Sequence, residues 1–271
     1  MASHLNANVA RFSGFADCYD AYRPSPPPIL LDVLTQLAQV PRPRLIVDLG
    51  SGTGISTRLW IGRAEQIIGI EPNADMRHQA ELHTTGSPAA QSIRYQEGLS
   101  TQTGLHDACA DIVTCCQSLH WMEPQPTFRE IARILRSGGI FAACDTDWPP
   151  TTLWEADAAY SALEQRVDRL EEQVGVFDEV RKWTKSEHLS RMAASGQFRF
   201  TKEIVLHSIE SGNAERLVGL ALSQGGIQSL LKRGLSEDQI GLTEFRTAVH
   251  RILGDKPMPW YFSYRVRVGV K

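Results

Sequence analysis

The stretch LIVDLGSGTGIS, from Leu45 to Ser56, decides the fold of this chain. An apolar run ends in an acid, and three glycines follow at alternate positions: Gly50, Gly52 and Gly54. A continuous apolar run of this kind is typical of a parallel strand that is covered on both faces. Glycines directly after such a strand let a ligand approach bare backbone, because no Cβ stands in the way. We therefore expect a ligand-binding loop at the carboxyl end of a buried strand.

Strands and helices alternate through the rest of the chain. After the first strand, the pattern predicts further strands at QIIGIE (66–71), SIRYQEG (92–98), ADIVTCCQ (110–117), IFAACDTD (140–147), TKEIVLHSI (201–209) and WYFSYRVRVGVK (260–271). Helical periodicity lies between most of them, and it dominates 153–174 and 214–253. The helix predicted at TFREIARILRSGG (127–139) is expected to end at Gly138 and Gly139. Repeated strand–helix units predict an α/β fold with a doubly wound sheet.

The chain is expected to have three segments. These are an N-terminal segment with a helix (1–40), a core of alternating strands and helices that carries the glycine loop (41–150), and helical insertions with the last two strands (151–271). The two insertions flank the sixth strand, and we expect them to form a lid over the carboxyl ends of the parallel strands. The apolar seam of 153–174 fits cap packing better than a coiled coil, which leaves a monomer or a homodimer open.

Composition excludes several classes of protein. The 271 residues are 42% hydrophobic and carry a net charge of −3, so there is no basic field to hold nucleic acid phosphates. The five cysteines form no C-x-x-C pair, and the eight histidines have no metal-ligand spacing, so we expect reduced thiols and no metal. The start of the chain does not resemble a signal peptide, and no apolar run reaches the ~20 residues of a membrane span. We expect a soluble, cytoplasmic protein.

Glycine loops of this type bind several classes of ligand, and the residues around the loop distinguish among them. A nucleoside triphosphate needs a lysine after the last glycine, whereas Gly54 is followed by Ile55 and Ser56. A dinucleotide fold needs a third glycine at the position of Ile55, which weakens that alternative without excluding it. The observed pattern is D-x-G-x-G-x-G, with Glu71 ending the next strand. A carboxylate at that place can accept hydrogen bonds from two ribose hydroxyls.

VDLGSGTG, joined to the Glu71 of IIGIE, resembles the first motifs of class I S-adenosylmethionine-dependent methyltransferases. The resemblance implies a Rossmann-like seven-stranded sheet with an antiparallel last strand and helical lid insertions. It implies S-adenosylmethionine as cofactor, with Glu71 gripping the ribose. By the same resemblance, the other residues of this part of the site are Asp48, Gly50, Ser51, Gly52, Gly54, Pro72 and Met76.

Two further stretches resemble small-molecule methyltransferases, the group with trans-aconitate and quinone-biosynthesis enzymes. DCYDAYRPSPP resembles their lead-in, which implies that Tyr19 and Arg23 fold over the cofactor; alternatively, Arg23 merely precedes a helix start. QSLHWMEP resembles their loop after the fourth strand, which makes Gln117 a contact to the methionine part. Many relatives carry an acid after the third strand, but GLSTQTG has none, so Ser100 or backbone groups would hold the adenine.

The function expected is methyl transfer to a small-molecule acceptor by in-line displacement. His120 is the candidate base for an acceptor that arrives protonated, and its alternative is a pocket-lining structural histidine. Two other functions remain open: a nicotinamide-dinucleotide oxidoreductase, and a non-catalytic S-adenosylmethionine-binding protein.

Nucleic acid methylation is not expected. Enzymes that methylate exocyclic base amines carry a [DNS]-P-P-[YF] turn after the fourth strand, where this chain has CQSLHW. DWPP (147–150) follows the fifth strand in the wrong order, and we interpret it as a strand terminator.

Overall fold

The computed structural model describes residues 2–86 and 91–271, without the side chains of residues 2 and 3. Its centre is a seven-stranded sheet of order β3-β2-β1-β4-β5-β7-β6. The strands are β1 (Leu45–Leu49), β2 (Gln66–Ile70), β3 (Ile93–Gln96), β4 (Ala110–Cys116), β5 (Leu135–Thr151), β6 (Phe200–Gly212) and β7 (Met258–Val270). This order confirms the predicted doubly wound fold.

The register and the hydrogen bonds between strands show which strands run parallel and which run antiparallel. β1 pairs in parallel with β2 and β4, and Asp48 lies opposite Gly69 on one side and Thr114 on the other. The start of β5 pairs with the end of β7, because Lys271 accepts from the Gly138 amide and donates to the Gly139 carbonyl, both at 3.0 Å. β7 is therefore antiparallel, as predicted.

Helices follow most strands, as the hydrophobic periodicity predicts. They are α1 (Ala2–Ala10), α2 (Ala16–Tyr22), α3 (Ile29–Ala38), α4 (Ile55–Arg58), α5 (Ala74–Leu82), α6 (Pro124–Ile134), α7 (Trp154–Gln173), α8 (Val176–Glu179), α9 (His188–Ala194), α10 (Ala214–Leu222), α11 (Gly225–Lys232), α12 (Glu237–Ile240) and α13 (Leu242–Leu253). Both predicted helical insertions are present, between β5 and β6 and between β6 and β7.

The chain forms two compact units. The sheet unit comprises Ser25–Thr146, Lys182–Leu206 and Tyr264–Lys271, and the helical unit comprises Met1–Pro24, Asp147–Arg181 and His207–Ser263. The two units are defined by compactness alone, so they do not test the three segments expected from the sequence. Those segments stay a prediction.

In the sheet unit, apolar side chains of the strands and of α6 and α9 form one core. Phe128 of α6 and Phe141 of β5 are fully buried and meet edge to face, with ring centroids 6.1 Å apart. Phe198, just before β6, stacks on Phe141 at 5.7 Å. Burying aromatic rings of this size stabilises the unit by a few kcal/mol each, at about 25 cal/mol per Å².

In the helical unit, α7 packs against α11 and α13, and α10 packs against α2 and α13. Tyr160 of α7 is buried between Trp148 and Phe245, with ring centroids at 6.5 and 5.9 Å. A buried ion pair joins Arg11 to Glu171 at 2.6 Å. The seam predicted on α7 therefore packs within its own chain.

Two boundaries predicted around β5 are wrong. The predicted helix end at Gly138 and Gly139 lies within β5, because α6 ends at Ile134 and the buried Leu135 already pairs with Ala110. The glycines accommodate a register shift early in the strand, with Gly138 at φ +73°.

DWPP does not terminate β5 either. The strand continues to Thr151 through the two prolines. Trp148 packs edge to face against Phe262 of β7 at 6.4 Å, and this apolar contact keeps the extended backbone beside its neighbour.

None of the helices in the two described ranges is long and apolar enough to cross a membrane.

Candidate functional site

The glycine loop runs from β1 to α4, and its three glycines all have positive φ: +64° at Gly50, +55° at Gly52 and +82° at Gly54. A Cβ at Gly50 would lie 2.7 Å from Ser118 Cβ, and one at Gly54 would lie 2.3 Å from the hydroxyl of Tyr95. A Cβ at Gly52 would meet nothing within 4 Å. Packing therefore requires two of the glycines, whereas Gly52 leaves an open face of backbone.

Glu71 follows β2 and lies against this loop. Its carboxylate accepts hydrogen bonds from the Gly52 and Asn73 amides, one on each oxygen and both at 2.9 Å. The side chain is buried, and burial raises its pKa while the two amides act in the opposite direction. Each carboxylate oxygen has a second lone pair, so Glu71 can still accept two hydroxyl hydrogen bonds.

Asp48 anchors the loop from below. Its side chain is fully buried and accepts hydrogen bonds from Ser56 and Thr57 at 2.7 Å and from Thr114 at 2.8 Å. Burial raises its pKa, and the three hydroxyl donors act in the opposite direction. The structure thus assigns Asp48 a supporting position between β1, β4 and α4, and its predicted contact with the cofactor stays a prediction.

Several polar atoms near the loop are buried without a hydrogen-bond partner among the described residues. They include the hydroxyls of Ser51 and Thr53 and the Nε2 donor of Gln117. Gln117 directly follows β4 with φ +56°, and its Oε1 accepts from Lys185 Nζ at 2.6 Å. Because the lysine fixes the acceptor end of the amide, Gln117 Nε2 is available to a ligand atom that accepts a hydrogen bond.

Three other predicted residues of the sheet unit follow β2 or β3: Pro72 and Met76 come after β2, and Ser100 comes after β3. Met76 is buried in α5, whose first turn is capped by Asn73 Oδ1 at 3.0 Å, and Pro72 is half-buried just before the cap. Ser100 is 2.9 Å from Thr127 Oγ1, hydroxyl to hydroxyl. The predicted contact of Ser100 with adenine stays a prediction, and so do the predicted contacts of Pro72 and Met76 with the cofactor.

Tyr19 and Arg23 belong to the helical unit. Arg23 donates to Ser223 O and Gln224 Oε1, both at 2.8 Å, and its guanidinium lies 4.8 Å from the centre of the Tyr19 ring. These partners account for the position of Arg23 within its own unit. The predicted contact of Tyr19 and Arg23 with the cofactor stays a prediction.

His120 lies in a 3₁₀ turn after β4 and is buried, with Nδ1 3.8 Å from Asp145 Oδ1 on β5. Asp145 also faces Arg267 Nη1 at 2.8 Å, Lys185 Nζ at 3.2 Å and His188 Nε2 at 3.9 Å. Of this cluster, only His120 was predicted from the sequence. The one usable indication of a shared site was the predicted pairing of neighbouring strands, which places Asp145 beside Gln117.

Burial lowers the pKa of His188 to about 4, against the opposing effect of Asp145. One ligand atom from each of His120, Asp145 and His188 lies within 4.8 Å of the others, a grouping that could hold a metal ion. Sequence spacing could not show it, since the three residues come together only through the fold.

The known proteins to which this chain is similar are methyltransferases. Residues 47–143 match the family model described as a methyltransferase domain. The chain is 30% identical over 128 residues to an uncharacterised methyltransferase of Mycobacterium bovis, a match that covers 47% of this chain and 49% of the relative. It is 31% identical over 134 residues to a malonyl-[acyl-carrier protein] O-methyltransferase of Nitrosospira multiformis, covering 44% and 43%. The chain thus spans about half the length of these curated relatives.

Solved structures show the same fold. A structure from Anaeromyxobacter dehalogenans, assigned provisionally as a type II methyltransferase, superposes with a TM-score of 0.64 at 22% identity, covering 92% of this chain and 98% of the other. The YcgJ protein of Bacillus subtilis superposes with a TM-score of 0.55 at 17% identity, covering 89% and 97%.

Proposed function

We propose that this chain, which carries a class I S-adenosylmethionine-dependent methyltransferase domain, transfers a methyl group to a small-molecule acceptor. The observation that carries the proposal is the hydrogen bond from Gly52 to Glu71, which joins open backbone to a buried carboxylate at the ends of two neighbouring strands. The resemblance to this family is confirmed. The narrower subgroup, the cytoplasmic location and the oligomeric state stay predictions.

The residues present fit S-adenosylmethionine. Glu71 would accept the two ribose hydroxyls, the open backbone at Gly52 would lie against the adenosyl part, and Gln117 Nε2 would donate to the methionine part. The cofactor carries no phosphate, which agrees with a loop that has no lysine. The buried donor on Gln117 supports this fit, because burying an amide without a partner costs about 1–3 kcal/mol.

When bound, S-adenosylmethionine supplies a methyl group already activated by its sulfonium. The contribution of the chain is therefore to orient the acceptor and to exclude water, which together lower a barrier by ~7–11 kcal/mol in well-oriented reactions. His120 would remove a proton only from an acceptor that carries one at its reacting atom.

Isothermal titration calorimetry of the purified chain with S-adenosylmethionine, S-adenosylhomocysteine and NAD tests the proposal directly. We expect the two adenosyl compounds to bind and NAD to give no heat of binding. A panel of phenols, enols, amines, thiols and carboxylic acids, read out by mass spectrometry for S-adenosylhomocysteine, then tests transfer. Binding of NAD alone would favour an oxidoreductase, and binding without turnover of any acceptor would favour a cofactor-binding protein.

A further inference from the structure

Asp145 is the centre of a buried polar cluster in the sheet unit. Charged or titratable groups face it from three neighbouring parts of the fold: His120 after β4, Lys185 and His188 before and in α9, and Arg267 on β7. Asp145, His188 and Arg267 are each at most 3% exposed. This buried polar cluster lies beside the carboxyl end of β4, and open α/β sheets carry their chemistry at the carboxyl ends of their strands.

Two cationic side chains, Arg267 and Lys185, hold the carboxylate of Asp145 in place. Arg267 donates Nη1 to Asp145 Oδ2 at 2.8 Å, and Arg267 is itself held by Glu203 on β6, to which its Nε donates at 2.7 Å. Lys185 Nζ lies 3.2 Å from the other carboxylate oxygen. Two adjacent cations hold the carboxylate in one orientation, so Asp145 faces its remaining neighbours from a fixed position.

His120 is one of those neighbours, and its Nδ1 is the ring atom that faces Asp145. The ring is 5.0 Å from the Trp121 ring, and the carbonyl of His120 accepts the Trp183 amide at 2.8 Å. At 3.8 Å the carboxylate makes no hydrogen bond to Nδ1, but its negative charge favours the tautomer that carries the proton there, and this leaves the lone pair on Nε2. A base that uses Nε2 needs that tautomer.

His188 faces the other carboxylate oxygen of Asp145, with Nε2 3.9 Å from Oδ2. Burial lowers the pKa of His188 to about 4, with Arg267, Lys185 and Arg191 acting in the same direction. At neutral pH this imidazole is therefore uncharged, and Asp145 has no imidazolium partner on that side.

The same three side chains do not suit a divalent cation. Zinc is held at about 2.0–2.2 Å from nitrogen or oxygen ligands, which places tetrahedral ligand atoms about 3.3–3.6 Å apart. Here the separations to Asp145 are 3.8 and 3.9 Å, and the adjacent Arg267 and Lys185 cations would repel a metal ion. The charges and spacing favour proton handling over metal binding.

We propose that Asp145 is a positioning residue for His120: it holds the imidazole in the Nδ1–H tautomer so that Nε2 can remove a proton from the acceptor. The acceptor is then a compound with an ionisable O–H or N–H at its reacting atom, such as a phenol or an enol. The O–H or N–H bond breaks, its proton moves to Nε2, its electron pair becomes the nucleophile, and the imidazolium later returns the proton to solvent. The use of His120 Nε2 as a base rests on the proposed function, whereas the effect of Asp145 on the His120 tautomer does not.

Two-bond ¹H–¹⁵N correlation spectra of histidine-labelled protein read the tautomer directly, with the His120 signals assigned by their loss in His120→Ala. We expect the Nδ1–H pattern in the wild type. Asp145→Asn removes the negative charge beside Nδ1, so the preference for the Nδ1–H form should be lost and the Nε2–H pattern should increase. Asp168→Asn, an exposed acid on α7, should leave the spectrum unchanged.

An Nε2–H pattern in the wild type would overturn the inference, and this arm holds even if Asp145→Asn does not fold. An unchanged tautomer in folded Asp145→Asn would overturn it as well, and so would saturable visible absorption with Co²⁺ that the substitution abolishes. For an acceptor found in the panel, Asp145→Asn should lower turnover at least about tenfold with unchanged S-adenosylmethionine affinity. Failure of the wild type to bind that cofactor would instead contradict the proposed function, and would leave the spectroscopic result standing.

Discussion

Gly52 donates its amide hydrogen to the Glu71 carboxylate across 2.9 Å, and this bond ties the loop after β1 to the end of β2. The other carboxylate oxygen accepts the Asn73 amide at the same distance, so both oxygens are oriented by main chain. A carboxylate held in this way needs no reorganisation when a ligand with two neighbouring hydroxyls arrives. The predictions for the cofactor site follow from this arrangement.

Glu71→Gln should weaken S-adenosylmethionine binding at least about tenfold. The glutamine amide must turn its NH₂ group toward either Gly52 or Asn73, which sets a donor against a donor and removes one acceptor from the ribose. Losing one buried hydrogen bond to a charged group costs about 1.5–3 kcal/mol, and 1.4 kcal/mol corresponds to a tenfold change in affinity. Calorimetric titration measures the change.

Glu97→Gln is the matched control for Glu71, because its side chain is 78% exposed. It should bind S-adenosylmethionine like the wild type. Wild-type affinity in folded Glu71→Gln would remove the main support for the proposed cofactor site.

Gly52→Ala and Gly62→Ala should separate ligand contact from backbone strain. Both glycines have positive φ, +55° and +76°, and a Cβ at either position meets nothing within 4 Å. Each substitution should therefore destabilise the fold by a similar ~1–2 kcal/mol, the cost of a left-handed alanine. If the open face at Gly52 receives the cofactor, only Gly52→Ala should also weaken binding of S-adenosylmethionine.

Thermal unfolding and calorimetric titration of the two glycine variants supply both measurements. Equal losses of affinity in the two variants would show that strain alone, and not contact with the ligand, governs the effect.

The sequence was sufficient to predict the glycine loop and Glu71, because each follows directly from a short buried strand and its first loop residues. The positions of Asp145, Lys185, His188 and Arg267 were not predictable in the same way. They lie on β5, on α9 and just before it, and on β7, and only the tertiary fold brings them to His120. Neither periodicity nor spacing records contacts of His120 with residues that lie between 25 (Asp145) and 147 (Arg267) positions further along the chain.

Local propensity also failed at the start of β5. Gly138 and Gly139 form a helix-ending pattern, but pairing of the buried Leu135 with Ala110 decides where α6 stops. Tertiary burial here outweighs a local glycine preference of about 1 kcal/mol.

His120→Ala should lower turnover of an acceptor with an acidic proton by ~100-fold or more, because general base catalysis typically contributes that much. S-adenosylmethionine affinity should not change, since the proposed cofactor contacts lie on other residues. His106→Ala, an exposed histidine, is the matched control and should keep full turnover. Near-normal turnover in a folded His120→Ala protein would leave His120 as a pocket-lining residue only.

Glu130→Gln should reduce stability at neutral pH and lose that effect in acid. Glu130 is 9% exposed and accepts from Thr103 N and Oγ1 and from Arg133. Burial raises its pKa, but these donors outweigh burial and lower it to about 2 from its ordinary 4.5. A carboxyl whose pKa falls on folding stabilises above the unfolded value, here by at most about 3 kcal/mol, and this is lost as pH falls toward 2.

Thermal unfolding of the wild type and Glu130→Gln between pH 2.5 and 7 tests this dependence. The gap between their melting temperatures should be largest above pH ~5 and should narrow toward pH 2.5. Exposed Glu172→Gln should track the wild type throughout. A gap that stays constant with pH would contradict the lowered pKa.

His188→Gln should flatten the dependence of stability on pH between about 4 and 6.5. Burial lowers the pKa of His188 in the folded protein to about 4 from the ordinary 6.5, so over that range the unfolded chain binds a proton that the native protein does not. Wild-type stability therefore falls as pH drops through this window, by up to about 3 kcal/mol from this one residue, and a glutamine cannot take up the proton. Urea unfolding at half-unit steps from pH 4 to 7.5 gives the slope for each protein, and exposed His106→Gln should retain the wild-type slope. Equal slopes for His188→Gln and wild type would mean that His188 is protonated in the native protein, and Asp145 would then have an imidazolium partner opposite His120.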